Sequence, residues 1–400
     1  MRTSRWPFVP RMVGFVGIST AMIMILVAAG SPTPLLPIYE HEWGFPSWML
    51  TLAFGVYAIA LLVAILVIGS LSDHVGRRPL MIGALALELI AMGMFVEAHS
   101  IGGLIAARIV QGIATGAASS TLSASVVELA PERHKKTGAL MAGLAPLAGL
   151  GIGSLFAGII AQTVANAAPV IWTVLIVVMA LATVFAIFTP ETSTRKKGAL
   201  RSLIPSVSLP KQVRRLFFST LPGTIGAFMT MALFLGLLPA LLAGLFAVTS
   251  PIVGALAAFV MFGVGTLVSA ATLGAKPHRL RILGAASMTV GAILFIAAIG
   301  AHALPLVWTA AVFGGAGLGA NFSGTTRGLV PEVKPHERAA LFSTIYLVAY
   351  LSMGVSAIIA GAFVAAIGAT TMALLFGAVL GIFALIGIIT TAGHLRASRA

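Results

Sequence analysis

Arg108, Gln111, Thr115 and Ser119 recur at spacings of three, four and four in an otherwise apolar run. At about 100° per residue they fall on one narrow stripe of a helix. A polar stripe against hydrocarbon is costly, so it is expected to face the interior or a wet cavity. A fixed guanidinium in such a cavity can organise water and act on a nearby carboxyl group, which is the chemistry of a proton relay. The alternative is that Arg108, about two turns into its run, snorkels to the headgroups. Glu88 lies about ten residues into another apolar run, roughly 15 Å deep at about 1.5 Å per residue. A carboxylate there costs about 2–4 kcal/mol unless protonated or paired. Glu88 is therefore a candidate proton site, the alternative being a protonated structural residue. Glu40 and Glu97 lie near the ends of their runs and are expected to be solvated, Glu40 being a second candidate for the proton.

The elements that position these groups must be membrane helices. Of 400 residues, 59% are hydrophobic and 8% charged, against about 25% charged in an ordinary soluble protein. So few charges cannot cover a soluble surface, so lipid is the expected solvent. The chain has no cysteine, and its eight histidines are scattered. No metal site, cofactor or Ser/His/Asp set is expected, and so no enzyme. A net charge of +14 on a soluble protein would suggest nucleic acid. Here the basic residues sit in short loops, so they report membrane topology.

Runs long enough to span the hydrocarbon, about 20 residues each, lie near 13–38, 48–70, 79–97, 102–127, 136–162 and 168–189. A polar basic segment, 190–213, follows, and then 215–246, 250–273, 281–300, 304–328, 339–366 and 370–392. With the N-terminus inside, Arg2, Arg5, Arg11, Arg77, Arg78, Arg133, Lys135 and Lys136 all fall inside. So do Arg195, Lys196, Lys197, Arg201, Lys211, Arg214 and Arg215, then Lys276, Arg279, Arg281, Lys334, Arg338, Arg396 and Arg399. Arg108 and Arg327 fall within spans, and no Lys or Arg falls in an outside loop. That agrees with the positive-inside rule, and losing one middle span would invert every later loop. The first span could also be read as a signal peptide ending at Ala28-Ala29-Gly30. A duplication favours retaining it, because six plus six spans are needed. Pro131-Glu132-Arg133 leads through Gly138-Ala139-Leu140 to Ala157-Gly158, and Pro335-His336-Glu337-Arg338 leads through Ala339-Ala340-Leu341 to Ala360-Gly361. The expected organisation is a six-helix bundle over 1–189, a cytoplasmic basic linker over 190–213 and a second bundle over 214–400.

The loop Gly69-Ser70-Leu71-Ser72-Asp73-His74-Val75-Gly76-Arg77-Arg78-Pro79 resembles the G-x-L-x-D-x-x-G-R-[RK]-x signature of the major facilitator superfamily. Gly69 would let span two approach a neighbour closely, and Gly76 would permit a tight turn. Asp73 could cap the N-terminus of another helix, and Arg77 could pair with a carboxylate. The resemblance implies a latch stabilising the outward-facing state, in which Asp73 contacts span eleven and Arg77 contacts Glu128 at the end of span four. The alternative is a generic turn with solvated charges. Arg108-Ile109-Val110-Gln111-Gly112, with Thr115-Gly116-Ala117, resembles the family's R-x-x-Q-G motif. In span five, Ala145, Gly149, Gly153 and Ala157 recur every four residues, which suits close helix packing. Gly149, Gly153 and Gly158 also match the family's antiporter motif, but Ser154 stands where it has proline and Ala157 where it has glycine. Thr189-Pro190-Glu191-Thr192 resembles the P-E-T sequence that ends span six, and Pro32, Pro34 and Pro37 resemble the proline-rich end of span one in drug and sugar effluxers. The loop Gly274 to Arg281 keeps the basic residues of its first-half counterpart but lacks the aspartate.

The resemblance implies an all-α membrane protein of twelve helices in two pseudo-symmetric bundles, working by alternating access. Tyr57 on span two would face Tyr346 and Tyr350 on span eleven across the cavity, suiting an amphipathic organic solute, or these rings simply pack. Asn321 and Thr325 would give span ten a mild polar stripe toward the cavity. The expected function is proton-coupled efflux of a small drug- or sugar-like solute. The alternatives are an importer or uniporter for a metabolite or, from a different class, a sensor, which should append a soluble domain, or a channel. Expected partners are solute, protons and lipid bilayer, with no nucleic acid. A monomer in the cell membrane, both termini cytoplasmic, would suffice, since the duplication lets one chain enclose a path.

Overall fold

A computed structural model describes residues 9–193, 196–205, 207–334 and 337–397. Arg2, Arg5, Arg195, Arg399, Pro335 and His336 lie outside the described residues. The described chain is almost entirely helical, as a backbone with no water to bond to must be. The first half contains α1 (Arg11–Gly30), α2 (Trp48–Ile68), α3 (Arg77–Val96), α4 (Ile101–Leu129), α5 (Lys135–Thr163) and α6 (Ala167–Phe188). In the second half α7 (Arg214–Ala232) runs through a π turn (Leu233–Leu237) into a further helical segment (Leu238–Phe246). Then follow α8 (Pro251–Ala271), α9 (Pro277–Gly300), α10 (Leu304–Leu329), α11 (Arg338–Ile367) and α12 (Ala369–Ala397).

Among the described residues eleven helices are long and apolar enough to cross a membrane. The one expected span outside that set is α10. Its 26 residues are long enough, but glycines and polar residues dilute its hydropathy. Those glycines have a packing reason. A methyl group at Gly315 or Gly319 would collide with the α8 carbonyls of Met261 and Gly265, and one at Gly317 with Met288 of α9. On the outside, Leu181, Leu267, Leu283 and Ile389 are 64–69% exposed. Side chains of this kind on four separate helices form a surface suited to lipid, not water.

Two sequence boundaries differ. The first span ends at Gly30, and the proline-rich stretch that follows forms a turn and a short helix, Leu36–Trp43. The seventh is interrupted because Pro239 has no N–H to give Leu235 and its ring crowds that carbonyl.

Helices α1 to α6 pack among themselves, as do α7 to α12. The main contacts between the groups are α2 with α11 and α5 with α8. Gly55 meets Ile358 and Gly354, Gly361 meets Thr51, Gly151 meets Phe259 and Phe262, and Gly158 meets Ala255. Ser250 also donates to Gln162 at 2.7 Å. These approaches lie along the half of each helix remote from the Asp73 loop. The small-residue stripe of α5 divides its work: Gly149 and Gly153 seat against Leu26 and Val27 of α1, while Gly158 faces α8. Ala157 is fully buried beside them.

Candidate functional site

The R-x-x-Q-G stripe lies inside the first bundle. Gly112 and Gly116 lack side chains where α4 crosses the α2 carbonyls of Tyr57 and Leu61. That close crossing brings the Arg108 guanidinium 4.1 Å from the Tyr57 ring centroid, a cation–π contact. Arg108 is 2% exposed, which excludes snorkelling. Its Nη1 donates to Gln111 Oε1 at 2.6 Å and reaches Ala29 O at 3.5 Å, and Nε reaches Ala53 O at 3.4 Å.

Gln111 continues the chain. Its Nε2 donates to Ala28 O of α1 at 3.0 Å and to Glu88 Oε1 of α3 at 3.2 Å. Thr115 Oγ1 lies 3.5 Å from Glu88 Oε2, but it is 2.8 Å from Gln111 O, to which its one hydrogen goes more readily. Glu88, Gln111 and Thr115 are fully buried. Among the described residues no basic side chain lies within ion-pair distance of Glu88. The structure thus joins Glu88 to the stripe through one amide. Ser119, a turn further along, is half-buried and donates to Thr115 O at 2.7 Å, so it belongs to the stripe but not to this network.

An aromatic cluster lies close by. Tyr57 belongs to the buried core against which Tyr346 and Tyr350 pack. Tyr346 and Tyr350 lie 6.0 Å apart on one face of α11, and Tyr350 meets Phe228 of α7 edge-on at 5.6 Å. Phe228 in turn meets Phe322 of α10 at 6.1 Å. Phe228 and Phe322 are indistinguishable by type from the chain's many other apolar residues, and only the fold selects them. Asn321, next to Phe322, packs its side chain against Gly223 of α7 and its backbone against Gly284 of α9. Glu40 accepts a hydrogen bond from Ser47 and, with His41 and Glu42, borders a cavity of about 580 Å³ at the end remote from Asp73. Glu97 is exposed.

At the other end, Arg77 organises the loop. Its Nη2 pairs with Glu128 Oε1 at 3.1 Å and Asp73 Oδ1 at 2.7 Å, and Nη1 donates to Ser72 Oγ at 2.5 Å. Among the described residues the ion-pair partner of Asp73 lies in its own loop. Its carboxylate turns back to Arg77 and is 44% exposed. The N-terminus of α3 is capped instead by Glu191, whose carboxylate accepts from Arg77 N at 2.8 Å and Arg78 N at 3.1 Å. Thr192 adds a hydroxyl to Glu128 Oε2 at 2.5 Å. Gly76 has φ +105°, and a methyl group there would strike Glu191 as well. At Gly69, which closes α2 in ordinary helical backbone, the nearest atom a methyl group would meet is Ile65 O of the same helix. Arg78 sits in the same loop. The P-E-T sequence carried a signal for Glu191, but nothing in it named the helix it caps.

A family model, Major Facilitator Superfamily, matches residues 18–326. The inner membrane transport protein YajR of Escherichia coli is 28% identical over 120 residues, covering 30% of this chain and 26% of that protein. The quinolone resistance protein NorA of Staphylococcus aureus is 22% identical over 114 residues, covering 28% and 29%. The alignment thus spans just over a quarter of the length of each of these relatives. The crystal structure of the human organic anion transporter MFSD10 (TETRAN) has the same fold, with a TM-score of 0.67 and 16% identity over 95% of this chain and all of that one. With twelve packed helices among the described residues, the signature loop and a matching family model over residues 18–326, the chain belongs to the major facilitator superfamily of multi-pass membrane transport proteins.

Proposed function

We propose that this chain is a secondary active transporter that exports a small amphipathic organic solute against an inward flow of protons. It acts in the cell membrane as a monomer, with both termini and the basic loops cytoplasmic. Residues 1–189 and 214–400 rock as two bodies about the 190–213 linker. The observation that carries the reading is the buried chain from Glu88 through Gln111 and Arg108 to Tyr57. A carboxyl group with no ion-pair partner among the described residues, wired to a cation beside an aromatic wall, suits a site where proton and solute are coupled. The Oε2 edge of Glu88 has only a weak donor in Thr115. A protonated Oε2 can donate to that hydroxyl, so both charge states are served by the same geometry.

Contacts between the bundles concentrate at the end remote from the basic loops. This supports a conformation closed outside and opening toward the cytoplasm. The disengaged Asp73 fits it, because the latch belongs to the opposite state. The aromatic wall of Tyr57, Tyr346, Tyr350, Phe228 and Phe322 supports an organic solute, and the name of the relative NorA supports efflux. The test is flux in proteoliposomes carrying a pH-sensitive dye. Solute movement should acidify or alkalinise the lumen in step with transport, and an imposed pH gradient should drive accumulation. Flux indifferent to that gradient would instead indicate a uniporter.

A further inference from the structure

Arg108, which is buried, and Arg327, which is half-buried, are each held by several acceptors. Arg108 is held by Gln111, two carbonyls and a ring. Arg327 donates to Thr272 O at 2.7 Å and Ser269 O at 3.1 Å, capping the last turn of α8. Arg281, in the second turn of α9, is different. It is 4% exposed, yet its Nη1 has one neutral acceptor, Ser219 Oγ of α7 at 3.3 Å, and its Nε has none. Among the described residues no carboxylate lies within ion-pair distance of it.

Arg215 places a second positive charge within electrostatic reach. His394, in the last turns of α12, feels both Arg281 and Arg215, and its Nδ1 is buried without a partner. Thr390 donates to Ser219 O at 2.9 Å, tying α12 to α7 at this level. On the α10 side, the Cβ position of Gly324 abuts Arg281 Cγ, so the guanidinium cannot retreat that way. An unpaired buried guanidinium is strongly unfavourable, and one left so by the protein calls for an anion from outside it. A guanidinium fork matches the oxygens of phosphate in particular. Here the second turns of α7 and α9 meet the last turns of α12, with Phe218 and Leu283 exposed on the neighbouring outer faces.

We propose that Arg281, Ser219 and His394 form a binding site for a phosphate group, supplied by an anionic phospholipid headgroup or by free phosphate. The bound group neutralises Arg281 and braces α7, α9 and α12 at the basic end of the second half. The site is separate from the Glu88–Arg108 network and takes no part in the proposed coupling.

The experiment uses the full chain, in detergent and in nanodiscs. Its thermal midpoint is measured with inorganic phosphate against chloride at equal ionic strength, and in phosphatidylglycerol against phosphatidylcholine. The wild type should be stabilised by one probe or both, as any ligand of the native state does. A response to phosphate alone assigns the free anion, and a response to phosphatidylglycerol alone assigns the lipid. Arg281→Gln should bind the effective probe at least about tenfold more weakly, as expected for losing a charged hydrogen bond. If Arg281→Gln does not fold, Ser219→Ala and His394→Gln must each weaken binding several-fold. No stabilisation of the wild type by either probe overturns the proposal, as does an unchanged response in these variants.

Discussion

Glu88 and Arg108 are joined through a single side chain. Gln111 gives a hydrogen to Glu88 Oε1 at 3.2 Å and takes one from Arg108 at 2.6 Å. The amide cannot rotate to favour either neighbour, because its second hydrogen is fixed to Ala28 O at 3.0 Å. A change of charge at Glu88 is therefore felt at Arg108, and through it at Tyr57, without any large movement. Hydrogen-bonded side chains in a low-dielectric interior polarise one another in this way.

Glu88→Gln should separate coupling from conduction. Glutamine keeps the shape and can still accept from Gln111, but it is fixed in the neutral state. Uphill transport should be lost while downhill exchange of solute survives, read as counterflow in vesicles. Glu88→Ala should in addition destabilise the protein by about 1–3 kcal/mol, since it leaves a Gln111 hydrogen unpaired. Proton-driven accumulation by Glu88→Gln at the wild-type rate would rule out Glu88 as the proton carrier.

Arg108→Ala should abolish uphill transport and the pH dependence of flux together. Arg108→Lys should not restore them. An ammonium cannot satisfy two carbonyls and Gln111 while covering the Tyr57 ring, which the planar guanidinium does. The comparison needs the flux–pH profile of each variant. A lysine variant with the wild-type profile would mean that charge alone suffices.

The stripe from Arg108 to Thr115 was legible from helical periodicity, and the depth of Glu88 from counting along its span. Their meeting was not, because it depends on how α3 rotates against α4, and side chains 23 residues apart in different helices leave no periodic trace. The charge pattern located the loops for the same reason that it could not locate Glu191's target: loop charges report a side of the membrane, not a partner. Asn321, expected to line the cavity, has its amide against Gly223 of α7 and its backbone against Gly284 of α9, contacts that a single sequence does not show. The break in α7 was written in Pro239, whereas the end of α1 at Gly30 was obscured by apolar residues that continue past it.

Topology is testable directly, because the chain has no cysteine of its own. Ser202 lies in the linker, its carbonyl accepting from Ser70 Oγ of the signature loop at 2.8 Å. If both are cytoplasmic, a cysteine at Ser202 should react with an impermeant maleimide in inverted vesicles and resist it in intact cells. Labelling in intact cells would reverse the proposed orientation.

Two glycines should respond oppositely to the same kind of change. At Gly153 a Cβ would collide with the Val27 carbonyl of α1, which cannot move without its helix. Gly153→Ala should cost about 1–3 kcal/mol, as overpacking does. Gly83, within α3, has open space at its Cβ position. There alanine should be neutral or stabilise by up to about 1 kcal/mol through helix propensity. Thermal midpoints of the two purified variants decide this, and equal shifts would show that the α1–α5 contact is looser than the structure has it.

The signature loop makes the sharpest separation between stability and transport. In this conformation Asp73 is a partly exposed ion-pair partner of Arg77, and such pairs contribute about 0–1 kcal/mol. Arg77 is the more buried member, with Glu128, Ser72 and Asp73 all converging on it. Asp73→Asn should therefore leave the thermal midpoint nearly unchanged while cutting transport sharply, if Asp73 gains its partner on α11 only when the basic end closes. A few kcal/mol lost from one of two balanced states shifts their ratio more than tenfold. Arg77→Ala should reduce both stability and transport, because it removes the cation on which Glu128, Ser72 and Asp73 converge and so releases the loop. Glu191→Ala should resemble Arg77→Ala more than Asp73→Asn, since its carboxylate caps α3 in the conformation described here. Measuring midpoint and flux for the three variants side by side tests the assignment. If Asp73→Asn transports at the wild-type rate, the loop is not a latch. If instead it loses stability as Arg77→Ala does, Asp73 acts within the loop and not across the interface.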